Sequence, residues 1–248
     1  MLRTPRWTTL RAPLRVPLAR AARPSAVLVR PMRAYSSAPS KGCAACGAAN
    51  DLAALQCAEC HALQPLPAEV DYYDILGTPR RDVPRNGWSV DANALKAQWR
   101  KCMATTHPDR LVARPEKEQQ IGSQQSAIVN KAYETLLRPL PRALYLLEQE
   151  GVGDVEEGAS LEDPELLMEV MELQEALSEA EDQATVDEVA AQNETHMADV
   201  LRALDEAFAQ TPPDTAHIKS LAIQLRYWTN IAKAAQEWQP GQRVELHH

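Results

Sequence analysis

Phenylalanine occurs once in these 248 residues and glycine only nine times, which leaves little material for the aromatic strands and glycine turns of a β-rich fold. Long apolar runs are missing as well: none approaches the roughly 20 residues that a membrane-crossing helix needs. With 45% apolar and 24% charged residues, a collagen-like or mainly disordered chain is excluded. What is abundant is Ala, Leu, Glu and Gln, residues well suited to helices. The composition predicts an all-α protein, and the length leaves room for two or three small domains.

Acidic residues are absent from the first 41 positions, which carry eight Arg and one Lys. Gly42 to Gly151 is nearly balanced, with 12 basic and 13 acidic residues, whereas from Val152 onward 5 basic residues face 21 acidic ones. The net charge of -8 thus hides a basic head and an acidic tail. Such a tail repels phosphate backbones, so neither nucleic acid nor a membrane is expected as a partner. The head is rich in Arg and Ala, and Arg or Pro interrupts each of its apolar stretches. That is the make-up of a mitochondrial presequence over residues 1–35, not of a secretory signal. Arg33-Ala34-Tyr35-Ser36 resembles a matrix-peptidase cleavage site, which puts the mature start near Ser36 and the protein in the mitochondrial matrix. A basic arm touching nucleic acid or lipid is the alternative.

Four of the five cysteines form two pairs, Cys43 with Cys46 and Cys57 with Cys60, each separated by two residues. Each short turn lets two thiolates converge, and two such knuckles complete a closed tetrahedral site, so a structural zinc ribbon is expected over residues 41–63. Gly47 suits the turn of the first knuckle. Two disulfides are the alternative, less suited to an intracellular destination. His61 adjoins the last cysteine and is expected to point elsewhere, and Cys102 to act as a small apolar residue.

Leu63-Gln64-Pro65-Leu66-Pro67 breaks the chain, and a second unit is expected over 69–150. Between Asp91 and Thr105, Leu95, Trp99 and Met103 recur every four residues while Lys96, Arg100 and Lys101 lie on other faces, an amphipathic helix with a basic side. Another helix, from about Pro115 to Leu137, turns Ile121, Ile128, Val129, Ala132 and Leu136 inward. Between them stands His107-Pro108-Asp109. Pro108 disfavours helical geometry at His107, so the tripeptide is expected to form a loop from which His107 and Asp109 project. A His–Asp pair also fits a general base and its orienting group. No nucleophile is recognisable nearby, however, and the intervening proline restricts how the two side chains could meet, so no enzymatic activity is expected.

The acidic part, over 160–240, reads as three helices. Asp163-Pro164 caps the first, whose Leu166, Val170, Leu173 and Leu177 form a core stripe, while Leu167, Met168 and Met171 fall outside it, bordered by Glu172 and Glu175. Thr185 and Glu188 look like a capping box opening a helix with Val189, Met197, Val200, Leu204 and Phe208 inward. Thr211-Pro212-Pro213-Asp214 starts the third, with Ile218, Leu221, Leu225, Trp228 and Trp238 on one face, Ala232 and Ala235 allowing close approach, and Ile223 and Tyr227 off that face. The side chains left outside either form a partner-binding patch or pack against the second unit and thicken the core.

Antiparallel helices joined by His-Pro-Asp resemble a J-domain. The residues that follow, Ala132-Tyr133, Thr135-Leu136, Pro139-Leu140, Arg142-Ala143, Tyr145-Leu146-Leu147 and Gly151, are similar to the HscB/Jac-type co-chaperones of iron-sulfur cluster biogenesis. The resemblance runs from about Asp71 to Trp238, and animal-type mitochondrial members carry a tetracysteine ribbon in front. It implies a J-domain hairpin followed by a three-helix bundle. It further implies that His107, Pro108 and Asp109, supported by Lys96, Arg100 and Lys101, engage a mitochondrial DnaK-class chaperone and stimulate its ATPase. An IscU-type scaffold protein would be held by Leu167, Met168, Met171, Glu172, Glu175, Ile223, Arg226 and Tyr227. One departure is Thr105-Thr106, where the family often has an apolar residue before the motif. A general mitochondrial J-protein for folding or import is the alternative function.

Overall fold

The computed structural model describes residues 40–153 and 163–240. The expected presequence and the Ser36 cleavage point lie outside the described residues. Those residues are mostly helical, with a small ribbon at their start, in agreement with the sequence reading. Strands β1 (Ser40–Gly42) and β2 (Ala49–Asp51) pair antiparallel, Lys41 opposite Asn50. A single bridge, Gln56 to Leu63, closes the second half of the ribbon.

The next unit is built on α1 (Tyr72–Ile75), α2 (Ala92–Thr106), α3 (Pro108–Leu111), α4 (Glu116–Leu137) and α5 (Pro139–Gln149). Asp71 caps α1 by accepting from the Tyr73 amide and Asp91 caps α2 by accepting from those of Asn93 and Ala94, each satisfying amides that a helix start leaves open. Tyr145 on α5 stacks on Tyr72 at 4.5 Å, and its hydroxyl donates to Asp71 at 2.9 Å, tying the start of the unit to its end. Leu95, Val129, Ala132 and Leu136 are buried between α2 and α4, while Trp99 and Met103 are half-buried at the edge. In the first half of α4 the inward positions are polar or bare instead: Gly122, Gln125 and Ser126 are buried where Ile121 is only half so. That face looks at the ribbon, and the ribbon presents backbone carbonyls.

The bundle consists of α6 (Pro164–Ser178), α7 (Gln183–Ala209) and α8 (Thr215–Glu237). Asp163 and Asp214 cap α6 and α8 as expected. The start of α7 differs: its cap is Asp182, which accepts from both the amide and the hydroxyl of Thr185, so Thr185 is already inside the helix. An aspartate three residues upstream thus opens the helix one turn earlier, with a charged acceptor for the first-turn amide. Val170, Leu173, Leu177, Val189, Val200, Leu204, Phe208, Ile218, Leu221, Leu225 and Trp228 share one core. On α8 the close approach passes through Ile231 and Ala234, with Ala232 and Ala235 only half-buried.

Hairpin and bundle are interlocked. Between α1 and α2 the chain makes two 3-10 turns, Arg80–Asp82 and Arg85–Gly87, and the second docks on the end of α7. The Asn86 amide donates to the carbonyls of Phe208 and Gln210 at 2.8 and 3.0 Å, Arg85 pairs with the Asp205 carboxylate, and Trp88 stacks on Phe208 at 5.0 Å. Arg142 of α5 lies over the other part of this layer, 4.6 Å from the Trp88 ring centre, a cation–π contact strengthened by burial. Gly87 sits at the crossing with φ +99°, where a Cβ would come within 3.0 Å of Arg80 and 3.1 Å of Leu146. Only glycine combines that conformation with that space. Trp88 is 5% exposed, so Trp88→Ala is expected to cost about 3–5 kcal/mol and to split urea unfolding into separate hairpin and bundle transitions. A single, unshifted transition would show that the joint is not a stabilising contact.

Candidate functional site

Helix α2 ends at Thr106 as the proline requires, but the tripeptide after it is no open loop. His107 closes α2 with φ -61° and ψ 129°, and it also caps α3, with Pro108 in the first turn of that helix. Proline is well accommodated there, because its missing N–H has no partner in a first turn and its fixed φ is already helical. The Asp109 amide donates to Nδ1 of His107 at 3.2 Å. The two side chains meet within this restricted turn: Nδ1 stands 3.6 Å from the Asp109 carboxylate. Folding the turn into a helix places position 109 beside its own cap. His107 and Asp109 are 46% and 88% exposed in their side chains, a display at the tip of the hairpin.

Lys96, Arg100 and Lys101 are all exposed on α2, leading toward the tip. Two residues escaped the sequence reading. Arg110 folds back to donate to the Ala104 carbonyl at 3.2 Å, clasping α3 to the end of α2. Val112, 73% exposed, presents an apolar side chain beside the turn; only its position next to the tripeptide signalled it. Thr106 is fully buried, yet its hydroxyl donates to the Cys102 carbonyl at 3.2 Å within the same helix. The polar atom is thereby satisfied locally, which accounts for a threonine at a fully buried position before the motif.

The four ribbon cysteines converge, with all four sulfurs within 4.8 Å of one another. The two knuckles repeat each other: the Gly47 amide donates to the Cys43 carbonyl at 2.8 Å and the His61 amide to that of Cys57 at 3.1 Å. Gly47 (φ 74°) and His61 (φ 58°) occupy equivalent left-handed positions, and His61 stands outside the sulfur cluster. In each knuckle backbone amides point at the first sulfur. Those of Cys46 and Ala45 lower the pKa of Cys43, and those of Cys60 and Glu59 bring Cys57 down to about 6. Cys46, pushed up to about 12 by hydrogen bonds with the Cys60 and Cys57 sulfurs, and Cys60 move the other way, so it is the convergence of four sulfurs that gives the donor set of a closed metal site.

On α6, Leu167, Met168 and Met171 are 39%, 62% and 58% exposed, with Glu172 and Glu175 exposed beside them. Three of the most exposed large apolar side chains among the described residues thus fall within one helical turn and a half. The remaining candidates sit on α8: Ile223, Arg226 and Tyr227 are half-buried, and Tyr227 packs partly on the core. Both helices belong to the same bundle and α6 packs on α8.

Residues 162–236 match the family model described as the HSCB C-terminal oligomerisation domain. The chain is 33% identical over 166 residues to the J-type co-chaperone JAC1, mitochondrial, of Saccharomyces cerevisiae, covering 65% of this chain and 85% of that protein. It is 33% identical over 184 residues to the iron-sulfur cluster co-chaperone protein HscB homolog of Arabidopsis thaliana, covering 74% and 69%. The crystal structure of human co-chaperone protein HscB aligns with a TM-score of 0.69 at 28% identity, over 79% of this chain and 97% of that one. A displayed His-Pro-Asp turn on a helical hairpin, joined to an acidic bundle, is the architecture of a J-type co-chaperone. Within that class the chain belongs to the HscB/Jac1 family, whose members are named as co-chaperones and not as enzymes.

Because the Thr106 hydroxyl bonds only within its own helix, Thr106→Val is expected to change stability by less than about 1 kcal/mol. Urea unfolding checks this, and a loss several times larger would mean that the hydroxyl holds the turn.

Proposed function

We propose that this chain is a mitochondrial matrix co-chaperone of iron-sulfur cluster assembly that holds an IscU-type scaffold protein on its bundle and stimulates a DnaK-class ATPase through its hairpin. The observation that carries this reading is the presence, on one interlocked body, of an exposed His107-Pro108-Asp109 turn flanked by basic residues and a separate exposed patch at Leu167, Met168 and Met171.

The basic side of α2 steers an acidic partner surface to the tip, where His107, Pro108 and Asp109 make the contacts that trigger hydrolysis in the chaperone. The patch contributes apolar burial to the scaffold, with Glu172, Glu175 and Arg226 fixing its orientation, and Ile223 and Tyr227 extending the contact onto α8. Transfer of a cluster-bearing scaffold to the chaperone then follows from proximity: two partners held by one rigid body meet at a high effective concentration. The chain itself makes and breaks no bond.

Zinc is the ion we assign to the ribbon. Cys43, Cys46, Cys57 and Cys60 would fill all four positions of a tetrahedral thiolate site, leaving none for a reactive water. Bound there, the ion supplies cross-linking and no catalysis. The mitochondrial destination rests on the basic leading segment and on the name of the yeast relative.

His107→Gln is expected to abolish ATPase stimulation in a steady-state turnover assay while leaving scaffold affinity unchanged. Retained stimulation would remove the hairpin's assigned role. For the bundle, Leu167→Ala combined with Met171→Ala is expected to weaken scaffold binding by about tenfold or more, read by calorimetric titration, without shifting the thermal melt. Tyr227 is left intact in this variant because it partly supports the core. Undiminished affinity, or equal binding of unrelated unfolded peptides, would point to a general folding J-protein instead.

A further inference from the structure

We propose that the ribbon sets the position of the His-Pro-Asp turn, through a notch in α4 that one leucine from each side fills. The notch is Gly122. A Cβ built there would lie 2.0 Å from Cδ1 of Leu111 and 3.4 Å from Cδ1 of Leu63. Leu111 is the last residue of α3 and the one buried residue of that helix. Leu63 closes the ribbon, three residues after Cys60, and is 5% exposed, as is Leu111. The two side chains share the same recess, so the ribbon forms one wall of the socket that anchors the turn.

Helix α3 has no other buried side chain to hold it. Four residues are far too few to be helical on their own, and His107, Pro108 and Asp109 are exposed. Apart from its cap, it has the Arg110 clasp on α2, the Gln119 amide of α4 donating to the Val112 and Arg114 carbonyls at 3.2 and 2.8 Å, and the buried Leu111 as its one core contact. The ribbon, by contrast, is fastened to α4 by a side chain that is 1% exposed: the Gln125 amide donates to the carbonyls of Leu55 and Gln64 at 2.8 and 2.6 Å. Gln64 in turn donates to the Cys43 sulfur at 3.3 Å. A continuous chain of contacts therefore runs from the sulfur cluster through Gln64 and Leu63 to Leu111.

The ribbon also has almost no core of its own. Between residues 40 and 63, only Cys43, Asn50, Cys57 and Leu63 are buried. A unit of this size with so little apolar burial depends on its cross-link, so the presentation of Leu63 depends on the four cysteines being closed on an ion. Leu63 is thus a positioning residue for the tip. Occupancy of the ribbon and readiness of the turn are coupled, and a chain whose reduced cysteines are stripped of their ion would display a looser tripeptide.

The mechanical coupling stands on the geometry alone, and its effect on ATP turnover rests on the co-chaperone reading. The test uses the full chain with zinc bound, as Leu63→Ala, as Leu63→Met, and as the parent after treatment with a thiol reductant and a chelator. Backbone amide exchange is read by NMR at Arg110 and Arg114, whose amides bond to the carbonyls of His107 and Leu111. Leu63→Ala and the stripped parent are expected to exchange about tenfold faster at both, with amides of α8 unchanged, while Leu63→Met behaves as the parent. In the turnover assay the same two samples are expected to need several-fold more protein for half-maximal stimulation, with the maximal rate kept. Unchanged exchange at Arg110 and Arg114, or acceleration spread equally over α8, overturns the coupling. Unchanged half-maximal stimulation with accelerated exchange overturns its functional half. Absence of stimulation by the parent itself refutes the co-chaperone reading and leaves the exchange result to decide the coupling.

Discussion

The layer formed by Arg142, Trp88 and Phe208 is the contact on which the molecule's unity depends. It unites three regions far apart in sequence: a loop before α2, a helix at the end of the hairpin, and the last turns of α7. A flat aromatic pair topped by a guanidinium gains from dispersion, from apolar burial and from the ring quadrupole at once. Around it, Asn86 and Arg85 occupy left-handed backbone positions, φ 55° and 56°. For arginine that conformation is unfavourable in isolation. It is held by the Asp205 pair and by the carbonyl bonds at the end of α7, which would otherwise face outward without helical partners.

Polar side chains inside this protein mark junctions. Gln125 serves ribbon carbonyls, Asn193 on α7 donates to the Trp228 carbonyl of α8 at 3.0 Å, and Tyr73 donates to the Gly87 carbonyl at 2.6 Å inside the hairpin. Each is almost fully buried; Gln125 and Tyr73 reach carbonyls outside any regular ladder, and Asn193 adds a second donor to a carbonyl in the middle of α8. Burial without such a partner would be unfavourable, so these residues specify how segments meet more than they add to stability.

Much of the fold was legible in the sequence because it is local. The α2 and α4 boundaries, the caps at Asp163 and Asp214 and the convergence of paired cysteines all follow from spacings of a few residues. The hidden features arise from partners far along the chain. Asn86 meets Phe208 across 122 positions, and nothing near Gly122 or Gln125 announces that a ribbon covers them. Periodicity alone marked Ile121 as inward, whereas a tertiary neighbour made the polar face the buried one. At Thr185 and in the tripeptide the miss was finer. A cap signal was present in both, but the choice among adjacent acceptors depends on which geometry closes best: Asp182 outcompetes Thr185, and His107 turns a supposed loop into a helical start.

The repeated knuckles have an uneven consequence. Gly47 and His61 adopt the same handedness, yet only one lacks a side chain to oppose it. The second loop therefore carries a small backbone cost that the first is spared, and it carries it in the half of the ribbon that ends at Leu63.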